Sequence, residues 1–272
     1  MNEIKIGNFL INSSSEPFTI AEAGINHNGD LGIALKLVEA AKTAGVSAIK
    51  FFTYQTEEFI TDSKLEYTYK SQDKEITESM KDMFQRCELS KDDWKQIKQK
   101  CDEQNIIFLS TPENVSDLQF LIELDIKAIK IGSDDFTNIS MIKKFLESEL
   151  PIIISCGMAD MNEIKETVSQ INMKTDYPMV LMITTSQYPT PNEDVNILKL
   201  QSIRNEFPNI IIGYSDHTEG NLAVSLASAL GAKVFEKHFT LDKNFPGPDH
   251  WFSASPTELR EWNESIRKSY IM

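Results

Sequence analysis

The segment Val234–His250, VFEKHFTLDKNFPGPDH, begins as an apolar strand and then turns abruptly polar. Glu236 and His238 share one face of that strand, because side chains alternate along an extended chain. A charged turn follows, and Gly-Pro-Asp-His then fixes a rigid polar loop. A lone histidine at a strand end is often only solvated. A buried strand that ends in Glu-x-His and runs into such a loop is more typical of the mouth of an active site.

A second segment, Ile210–Gly220 with the sequence IIIGYSDHTEG, has the same form and delivers His217. Two histidines about 20 residues apart, each at the carboxyl end of an apolar strand, predict a paired ligand site. Imidazole suits manganese, iron, cobalt and zinc. Because His217 and His238 would leave coordination positions open, the pair favours a Lewis-acid role over a structural one. The alternative is a pair that only hydrogen-bonds the substrate.

The same unit, an apolar strand followed by an amphipathic helix, recurs about eight times along the chain. Strict alternation predicts a parallel α/β sheet, and about 250 residues is the usual size of a closed (β/α)₈ TIM barrel. A doubly wound open sheet also alternates, but no G-x-G-x-x-G loop follows the first strand. The predicted strands are Phe18–Ala23, Ala48–Phe52, Ile106–Ser110, Ala128–Ile131, Pro151–Ser155, Met179–Thr184, Ile210–Tyr214 and Val234–Phe239. The predicted helices are Leu31–Ala44, Lys91–Gln104, Val115–Leu124, Ser140–Ser148, Met161–Asn172, Asn196–Phe207, Asn221–Leu230 and Pro256–Tyr270.

The chain shows no linker or low-complexity tract, so residues 1–272 are predicted to form a single domain. Residues 1–17 are polar and rich in turns, and they predict a short N-terminal hairpin. The segment Thr53–Leu89 is long for a plain connection, so it is either functional or carries a helix of its own.

The composition argues against several classes of partner. With 27 Lys+Arg against 41 Asp+Glu the net charge is −14, which makes nucleic acid and anionic membranes poor partners. No apolar run approaches the roughly 18 residues of a membrane span, and the N-terminus is too polar for a signal peptide. An odd number of cysteines without close pairing predicts a reducing, cytoplasmic location. These cysteines are Cys87, Cys101 and Cys156.

Polar residues end nearly every predicted strand, and two of them are lysines. Lys50 and Lys130 each lie within an otherwise apolar strand, where an unpaired ammonium costs several kcal/mol. One alternative is a pair of structural salt bridges to Glu22 and Glu236. The other is an anion clamp that holds a phosphate and a carboxylate together with nearby hydroxyls. The hydroxyls are those of Thr111, Ser133, Ser155, Ser186 and Ser215.

Two further residues lie near these strand ends. His27, in the loop GINHNGD, either lines the entrance of the site or is simply solvated. Cys156 follows a strand end, and no histidine is next to it in sequence. It is therefore predicted to be a small packed residue and not a nucleophile.

Eight segments of the chain resemble, in order, those of the sialic acid synthase family, the phosphoenolpyruvate-dependent N-acylneuraminate synthases and their legionaminic and pseudaminic acid relatives. They are AEAGINHNGD, AIKFFTY, STPE, KIGSDDFTN, SCGMA, TTSQYPTPNEDVN, GYSDHTEG and EKHFTLDKNFPGPDH. The resemblance covers roughly residues 18–256, and the last two segments are highly specific. The family fold is a (β/α)₈ barrel, in agreement with the strand count.

The resemblance implies a role for each matching residue on the donor side. His217 and His238 bind a divalent metal, usually Mn²⁺, with Mg²⁺ or Co²⁺ as alternatives. Lys50 and Lys130 contact phosphoenolpyruvate, so the predicted clamp, Ser186 included, becomes the phosphoenolpyruvate site. Glu22 lies beside the reacting atoms. The predicted catalytic residues are Glu22, Lys50, Lys130 and His238.

On the acceptor side the resemblance places Tyr188 and Asp249 against the sugar, but the chain departs from the family pattern. Phe52 replaces the usual glutamine, and Asp135 replaces a glutamate that is one methylene longer. The family's antifreeze-like C-terminal domain, which reaches over the partner's barrel in a homodimer, is not among these 272 residues, which fits either a barrel-only member of the family or a shortened chain. The predicted acceptor is therefore a sugar other than plain N-acetylmannosamine.

The implied reaction joins phosphoenolpyruvate, an open-chain sugar aldehyde and water to give a 3-deoxy-2-ulosonic acid and phosphate, for cell-surface polysaccharide synthesis. One alternative on the same barrel is a class I aldolase with Lys130 or Lys50 as the Schiff base. Another is a barrel that binds a ligand without turnover.

Overall fold

The computed structural model describes residues 3–173 and 176–272. The strands in chain order are β1 Ile4–Ile6, β2 Phe9–Ile11, β3 Phe18–Gly24, β4 Ala48–Thr53, β5 Glu66–Ser71, β6 Lys74–Ser79, β7 Ile107–Pro112, β8 Ile129–Ile131, β9 Ile152–Ser155, β10 Met179–Ile183, β11 Ile211–Asp216 and β12 Val234–His238. The helices are α1 Leu31–Thr43, α2 Thr56–Phe59, α3 Met80–Cys87, α4 Lys91–Gln104, α5 Val115–Glu123, α6 Ile139–Leu146, α7 Met161–Ile171, α8 Lys199–Glu206, α9 Leu222–Ala229 and α10 Pro256–Ile271, with a 3₁₀ turn at Asn192–Asp194.

Eight of these strands form a closed parallel barrel in the order β10-β11-β12-β3-β4-β7-β8-β9. They are the eight strands that the sequence predicts, and the (β/α)₈ TIM barrel is confirmed. Residues on β9 and β10 such as Ile153 and Leu181 are fully buried, because helices cover the outer face of a parallel sheet. Such strands are apolar along their whole length. The polar residues that end them stand out for that reason.

Helix boundaries follow local capping chemistry. Ser90 caps α4 by accepting a hydrogen bond from the Asp93 backbone N–H, and the Asp93 side chain completes a capping box. The buried residues of this helix, Trp94, Ile97 and Cys101, recur at spacings of three and four. The predicted start of one helix, Asn196, is wrong by three residues. The helix α8 begins at Lys199, because Asn196 has φ 46°, outside the helical region.

Two hairpins complete the fold. The predicted N-terminal hairpin is confirmed as the antiparallel pair β1–β2. The long segment Thr53–Leu89 carries α2 and α3, as one alternative expected, and also the antiparallel hairpin β5–β6. The sequence does not signal that hairpin, because Gln72 and Asp73 take positive φ angles of 52° and 59° without a glycine.

The chain divides into two compact units. The first unit comprises the described residues of Met1–Ile20, Lys127–Lys237 and Glu261–Met272, and the second comprises Ala21–Ile126 and His238–Arg260. The predicted single domain stays a prediction. None of the helices in the described part of the chain combines the length and the hydropathy that a membrane span requires.

Candidate active site

The second unit holds a buried ion pair between Lys50 and Glu22. The Lys50 Nζ lies 2.5 Å from Glu22 Oε2, and the two side chains are 3% and 1% exposed. The same ammonium donates to Thr111 Oγ1 at 3.1 Å. It also lies 4.7 Å from the centre of the Phe52 ring, so Lys50 and Phe52 share one face of β4 as alternation predicts.

The first unit holds the corresponding pair, Lys130 and Glu236. The Lys130 Nζ lies 3.8 Å from Glu236 Oε1 and donates to the Ile131 carbonyl at 3.2 Å. Ser215 donates its hydroxyl to the same glutamate oxygen at 3.0 Å. Each unit therefore contains one buried lysine–glutamate pair that is joined to a hydroxyl. The salt bridges that the sequence offered as one alternative are therefore present.

Hydroxyls of the predicted clamp converge on Gly157 in the first unit. Ser133 Oγ accepts from the Gly157 N–H at 3.0 Å. A Cβ at this glycine would lie 2.4 Å from Thr184 Cγ2 and 2.9 Å from Ser186 Oγ, so the close approach requires glycine. The Ser155 hydroxyl is buried and has no hydrogen-bond partner among the described residues. A buried hydroxyl donor without a hydrogen-bond partner suits an anionic ligand.

His217 is presented as a neutral imidazole of defined tautomer. Its Nδ1 donates to the Thr185 carbonyl at 2.8 Å, which leaves a lone pair on Nε2. Ser215 Oγ lies 3.3 Å from that Nε2. Burial lowers the pKa of His217 to about 4, opposed by the Thr185 carbonyl and by the Glu236 charge. The Tyr188 ring stacks on the imidazole, with ring centres 4.1 Å apart.

His238 closes β12 in the second unit. Its ring packs edge-on against Phe252, with ring centres 5.2 Å apart. The next residue, Phe239, donates its N–H to the Glu22 carbonyl at 2.8 Å, which fixes the backbone beside the histidine. The end of β12 is thus tied to the residue whose side chain neutralises Lys50.

The donor set fits a divalent metal ion. Metal-bound histidines normally donate their second ring N–H to a carbonyl or carboxylate, and His217 does so. Asp134 and Asp135 belong to a different group of side chains, made of carboxylates alone, whose oxygens could also hold a metal ion. Burial raises the pKa of Asp135, and Asn138 donates to its Oδ1 at 3.0 Å.

The loop Gly-Pro-Asp-His, predicted to face the sugar, is rigidly held in the second unit. His250 Nδ1 lies 2.7 Å from Thr240 Oγ1, and its Nε2 lies 3.2 Å from Asn28 Oδ1. Gly247 donates its N–H to Ser71 Oγ, on the hairpin β5–β6, at 3.1 Å. Burial raises the pKa of the half-buried Asp249 to about 6.

The hairpin β5–β6 is a feature that the sequence interpretation missed. Lys70 lies 5.2 Å from the centre of the Trp251 ring, and Gln72 donates to the Asn244 carbonyl at 3.0 Å. The hairpin therefore packs on the loop that follows the histidine-bearing strand. The two tyrosines of β5, Tyr67 and Tyr69, were the available signal in the sequence.

Both alternatives for His27 are wrong. The residue is fully buried, with its ring 6.0 Å from the Phe51 ring and 5.9 Å from the Trp94 ring. Burial lowers its pKa to about 3, assisted by the charge of His250. The prediction for Cys156 is confirmed: it is buried, and burial raises the pKa of its thiol to about 12.

Comparison with known proteins gives consistent matches. The NeuB family profile matches residues 37–272. The N,N'-diacetyllegionaminic acid synthase of Legionella pneumophila is 38% identical over 260 residues, which cover 94% of this chain and 72% of that protein. The pseudaminic acid synthase of Campylobacter jejuni is 34% identical, covering 98% and 77%. The crystal structure of the N-acetylneuraminic acid synthetase from Leptospira borgpetersenii, in complex with citrate, superposes with a TM-score of 0.89 at 33% identity, covering 99% of this chain and 89% of that one.

Proposed function

The chain belongs to the NeuB family, and we propose that it condenses phosphoenolpyruvate with the open-chain aldehyde of an amino sugar and with water. The products are a 3-deoxy-2-ulosonic acid and inorganic phosphate, which makes the enzyme a transferase of carbohydrate biosynthesis. The names of its relatives, legionaminic acid and pseudaminic acid synthases, support this reaction class. The residue assignment rests on one observation, the buried lysine–glutamate pair with its attached hydroxyl in each unit.

Lys50 and Lys130 hold the donor. After neutralising its glutamate, each ammonium can still bind an anionic oxygen, and charge-assisted hydrogen bonds of this kind are strong. Phosphoenolpyruvate offers both a phosphate and a carboxylate. A chain of net charge −14 thus keeps two buried ammonium groups that can donate hydrogen bonds to an anion. Hydroxyls complete the donor site, and they are those of Thr111, Ser133, Ser155, Ser186 and Ser215.

The reaction forms one carbon–carbon bond and one carbon–oxygen bond to water, and it breaks the carbon–oxygen bond to phosphate. The methylene carbon of phosphoenolpyruvate attacks the aldehyde carbon, whose oxygen takes up a proton and becomes a hydroxyl. Positive charge develops at the donor C2, and water adds there. Glu22, held as a carboxylate by Lys50, takes a proton from this water. The two lysines stabilise the phosphate that the hemiketal expels.

His217 and His238 are the residues that would hold the metal. When bound, a divalent ion supplies Lewis-acid polarisation of the acceptor aldehyde. The neutral state of His217 and its hydrogen bond to the Thr185 carbonyl support this assignment. Mn²⁺ is the proposed ion, with Mg²⁺ and Co²⁺ as alternatives.

The acceptor is proposed to be a deoxygenated, N-acylated amino sugar. Phe52 presents a phenyl ring where the family has an amide, so the site favours apolar contact over hydrogen bonds to sugar hydroxyls. Two relatives named as N,N'-diacetyllegionaminic acid synthases are 38% and 40% identical to the chain. Tyr188, Asp135 and Asp249 are assigned to the same acceptor.

A Schiff-base aldolase is the weaker candidate. Imine formation needs a neutral lysine, whereas Lys50 and Lys130 are both paired with buried glutamates. Borohydride in the presence of a carbonyl substrate would trap an aldolase irreversibly. We expect no trapped adduct.

The deciding experiment measures phosphate release from phosphoenolpyruvate with Mn²⁺ and a panel of amino-sugar aldehydes. Release that requires both an acceptor and metal supports the synthase. If no phosphate is released with any acceptor in the panel, a barrel that binds ligand without turnover is favoured. The homodimer and the cytoplasmic location stay predictions.

A further inference from the structure

A buried cross-strand ion pair lies immediately beside the two histidines in sequence. Asp216, at the end of β11, and Lys237, on β12, are paired directly in the parallel register. The Lys237 Nζ lies 3.0 Å from Asp216 Oδ2, and the side chains are 8% and 0% exposed. This pair plays no part in the donor or acceptor sites described above.

The Asp216 carboxylate is fully used by its neighbours. Oδ1 accepts from the Thr218 N–H at 2.9 Å and from the Thr218 hydroxyl at 2.7 Å. Oδ2 accepts from the indole N–H of Trp262, a fully buried residue of α10, at 2.9 Å as well as from the lysine. The Lys237 ammonium also donates to the Thr218 carbonyl at 2.5 Å. These hydrogen bonds form a closed ring among Asp216, Thr218 and Lys237. The ring is anchored to α10 through Trp262.

The position of this ring relative to the histidines is specific. Asp216 and Thr218 flank His217 in the chain, and Lys237 directly precedes His238. Because side chains alternate along a strand, Asp216 points away from the face that carries Ser215 and Glu236. It meets Trp262 of α10 there, on the helix side of the barrel wall.

Stability alone does not account for so costly an arrangement. Replacing a buried ion pair by apolar residues of similar size is often neutral or stabilising. A ring that fixes the backbone on both sides of His217 restrains its imidazole, and functional groups must be held to within about 0.5 Å of their working geometry. The ring therefore has the properties of a positioning device.

We propose that Asp216, Lys237 and Trp262 are positioning residues that hold His217 in the geometry required to bind the metal. This inference rests on the metal site of the proposed function. The ring acts through the backbone and does not touch the ion.

The test measures Mn²⁺ affinity by calorimetry and the free energy of unfolding by urea, both on the full chain. Asp216→Asn and Lys237→Met are expected to raise the Mn²⁺ dissociation constant by about tenfold, the lower end of the range for outer-shell partners. Lys237→Arg should restore part of the affinity. Trp262→Phe, which removes a single hydrogen bond, should give a smaller rise and serves if the charge variants fail to fold.

The matched control is Thr19→Val. It removes the buried hydrogen bond from Thr19 Oγ1 to Asn263 Oδ1, 3.0 Å, which also joins a barrel strand to α10. Thr19 lies at the start of its strand, whereas His217 and His238 lie at the ends of theirs. This variant should lose stability and keep the dissociation constant within about twofold of the wild type.

Two results would overturn the inference while leaving the metal site intact. The first is an unchanged dissociation constant in the folded ring variants when His217→Ala abolishes binding. The second is an equal loss of affinity in Thr19→Val, which would make the effect one of general stability. If the wild type binds no Mn²⁺, or His217→Ala binds it normally, the metal assignment itself fails and the inference fails with it.

Discussion

The ammonium of Lys50 and the carboxylate of Glu22 lie 2.5 Å apart in the barrel interior, where neither side chain is more than 3% exposed. Lys130 and Glu236 repeat the arrangement in the other unit at 3.8 Å. A buried charge that loses its partner keeps the desolvation penalty without the compensating attraction. These pairs can therefore be tested by removing one partner or both.

Lys50→Met is expected to lower the free energy of unfolding by about 3–5 kcal/mol, because it leaves the Glu22 carboxylate buried and unpaired. The double variant with Glu22→Gln should recover part of that loss. Urea unfolding measures both. Lys95→Met, which removes an exposed partner of Asp92, should leave the free energy of unfolding close to that of the wild type. A double variant as unstable as the sum of the two single variants would show that the charges are not coupled.

Lys130→Ala should weaken phosphoenolpyruvate binding by about 2–4 kcal/mol, the usual range for removing one buried charged partner. Calorimetry with phosphoenolpyruvate alone measures it. Lys143→Ala, on an exposed part of α6, is the control and should bind as the wild type does. An unchanged dissociation constant for Lys130→Ala would identify this lysine as a structural ion-pair residue only.

His217→Ala and His238→Ala should each abolish metal-dependent turnover with little loss of folding, because strand-end side chains contribute little to the barrel core. His250→Ala should lose stability and keep its response to Mn²⁺, since this ring bridges Thr240 and Asn28 and is not assigned to the metal. Activity assays after chelation and Mn²⁺ addition, together with urea unfolding, separate the two classes. Full activity of His217→Ala or His238→Ala after exhaustive chelation would refute the metal assignment.

Local patterns predicted the barrel well, because each βα unit carries its own signal. The bounds of α4 and the apolar run of β10 are set by neighbours in sequence, and both were predicted. The pairing of Lys50 with Glu22 was predicted only as one alternative. Its presence depends on contact between strands distant in sequence, and alternation fixes the face of a residue but not its partner.

The failures have physical reasons of the same kind. The hairpin β5–β6 turns at Gln72 and Asp73, and positive φ without glycine leaves no clear turn signal. His27 looked solvated because its neighbours Asn26 and Asn28 are polar. The aromatic rings that bury it come from β4 and α4, which local sequence does not reveal.

Acid should destabilise the protein through His27 and His250, whose pKa values burial lowers from 6.5 to about 3 and about 4. Between the ordinary pKa of 6.5 and these lowered pKa values, the unfolded chain binds protons that the folded chain does not. Stability is therefore fully present above about pH 6.5 and falls as the pH falls, by up to about 1.4 kcal/mol per pH unit for each histidine.

His250→Gln should reduce the slope of stability against pH by up to about 1.4 kcal/mol per pH unit when urea unfolding is measured from about pH 6.5 to 4.5. Thr19→Val retains every histidine and should keep the wild-type slope, although it is less stable. Carboxylates such as Asp249 titrate in all variants and cancel in the comparison. An unchanged slope in both His27→Gln and His250→Gln would show that these rings are protonated in the folded state.

Phe52→Gln should shift acceptor preference toward sugars with more hydroxyl groups. The phenyl ring lies on the Lys50 face of β4 and has no hydrogen-bonding group, whereas an amide there can hydrogen-bond a sugar hydroxyl. An apolar site discriminates by only about 1–3 kcal/mol per methylene, so the wild type should retain weak activity on N-acetylmannosamine.

The measurement is kcat/KM for N-acetylmannosamine, its 6-deoxy di-N-acetyl analogues and short aldoses, with the KM for phosphoenolpyruvate as the internal control. We expect the wild type to prefer a deoxygenated acceptor and the variant to gain on N-acetylmannosamine by about tenfold or less, the size of one neutral hydrogen bond. If N-acetylmannosamine is already the best wild-type substrate and Phe52→Gln leaves the ranking unchanged, Phe52 does not select the acceptor.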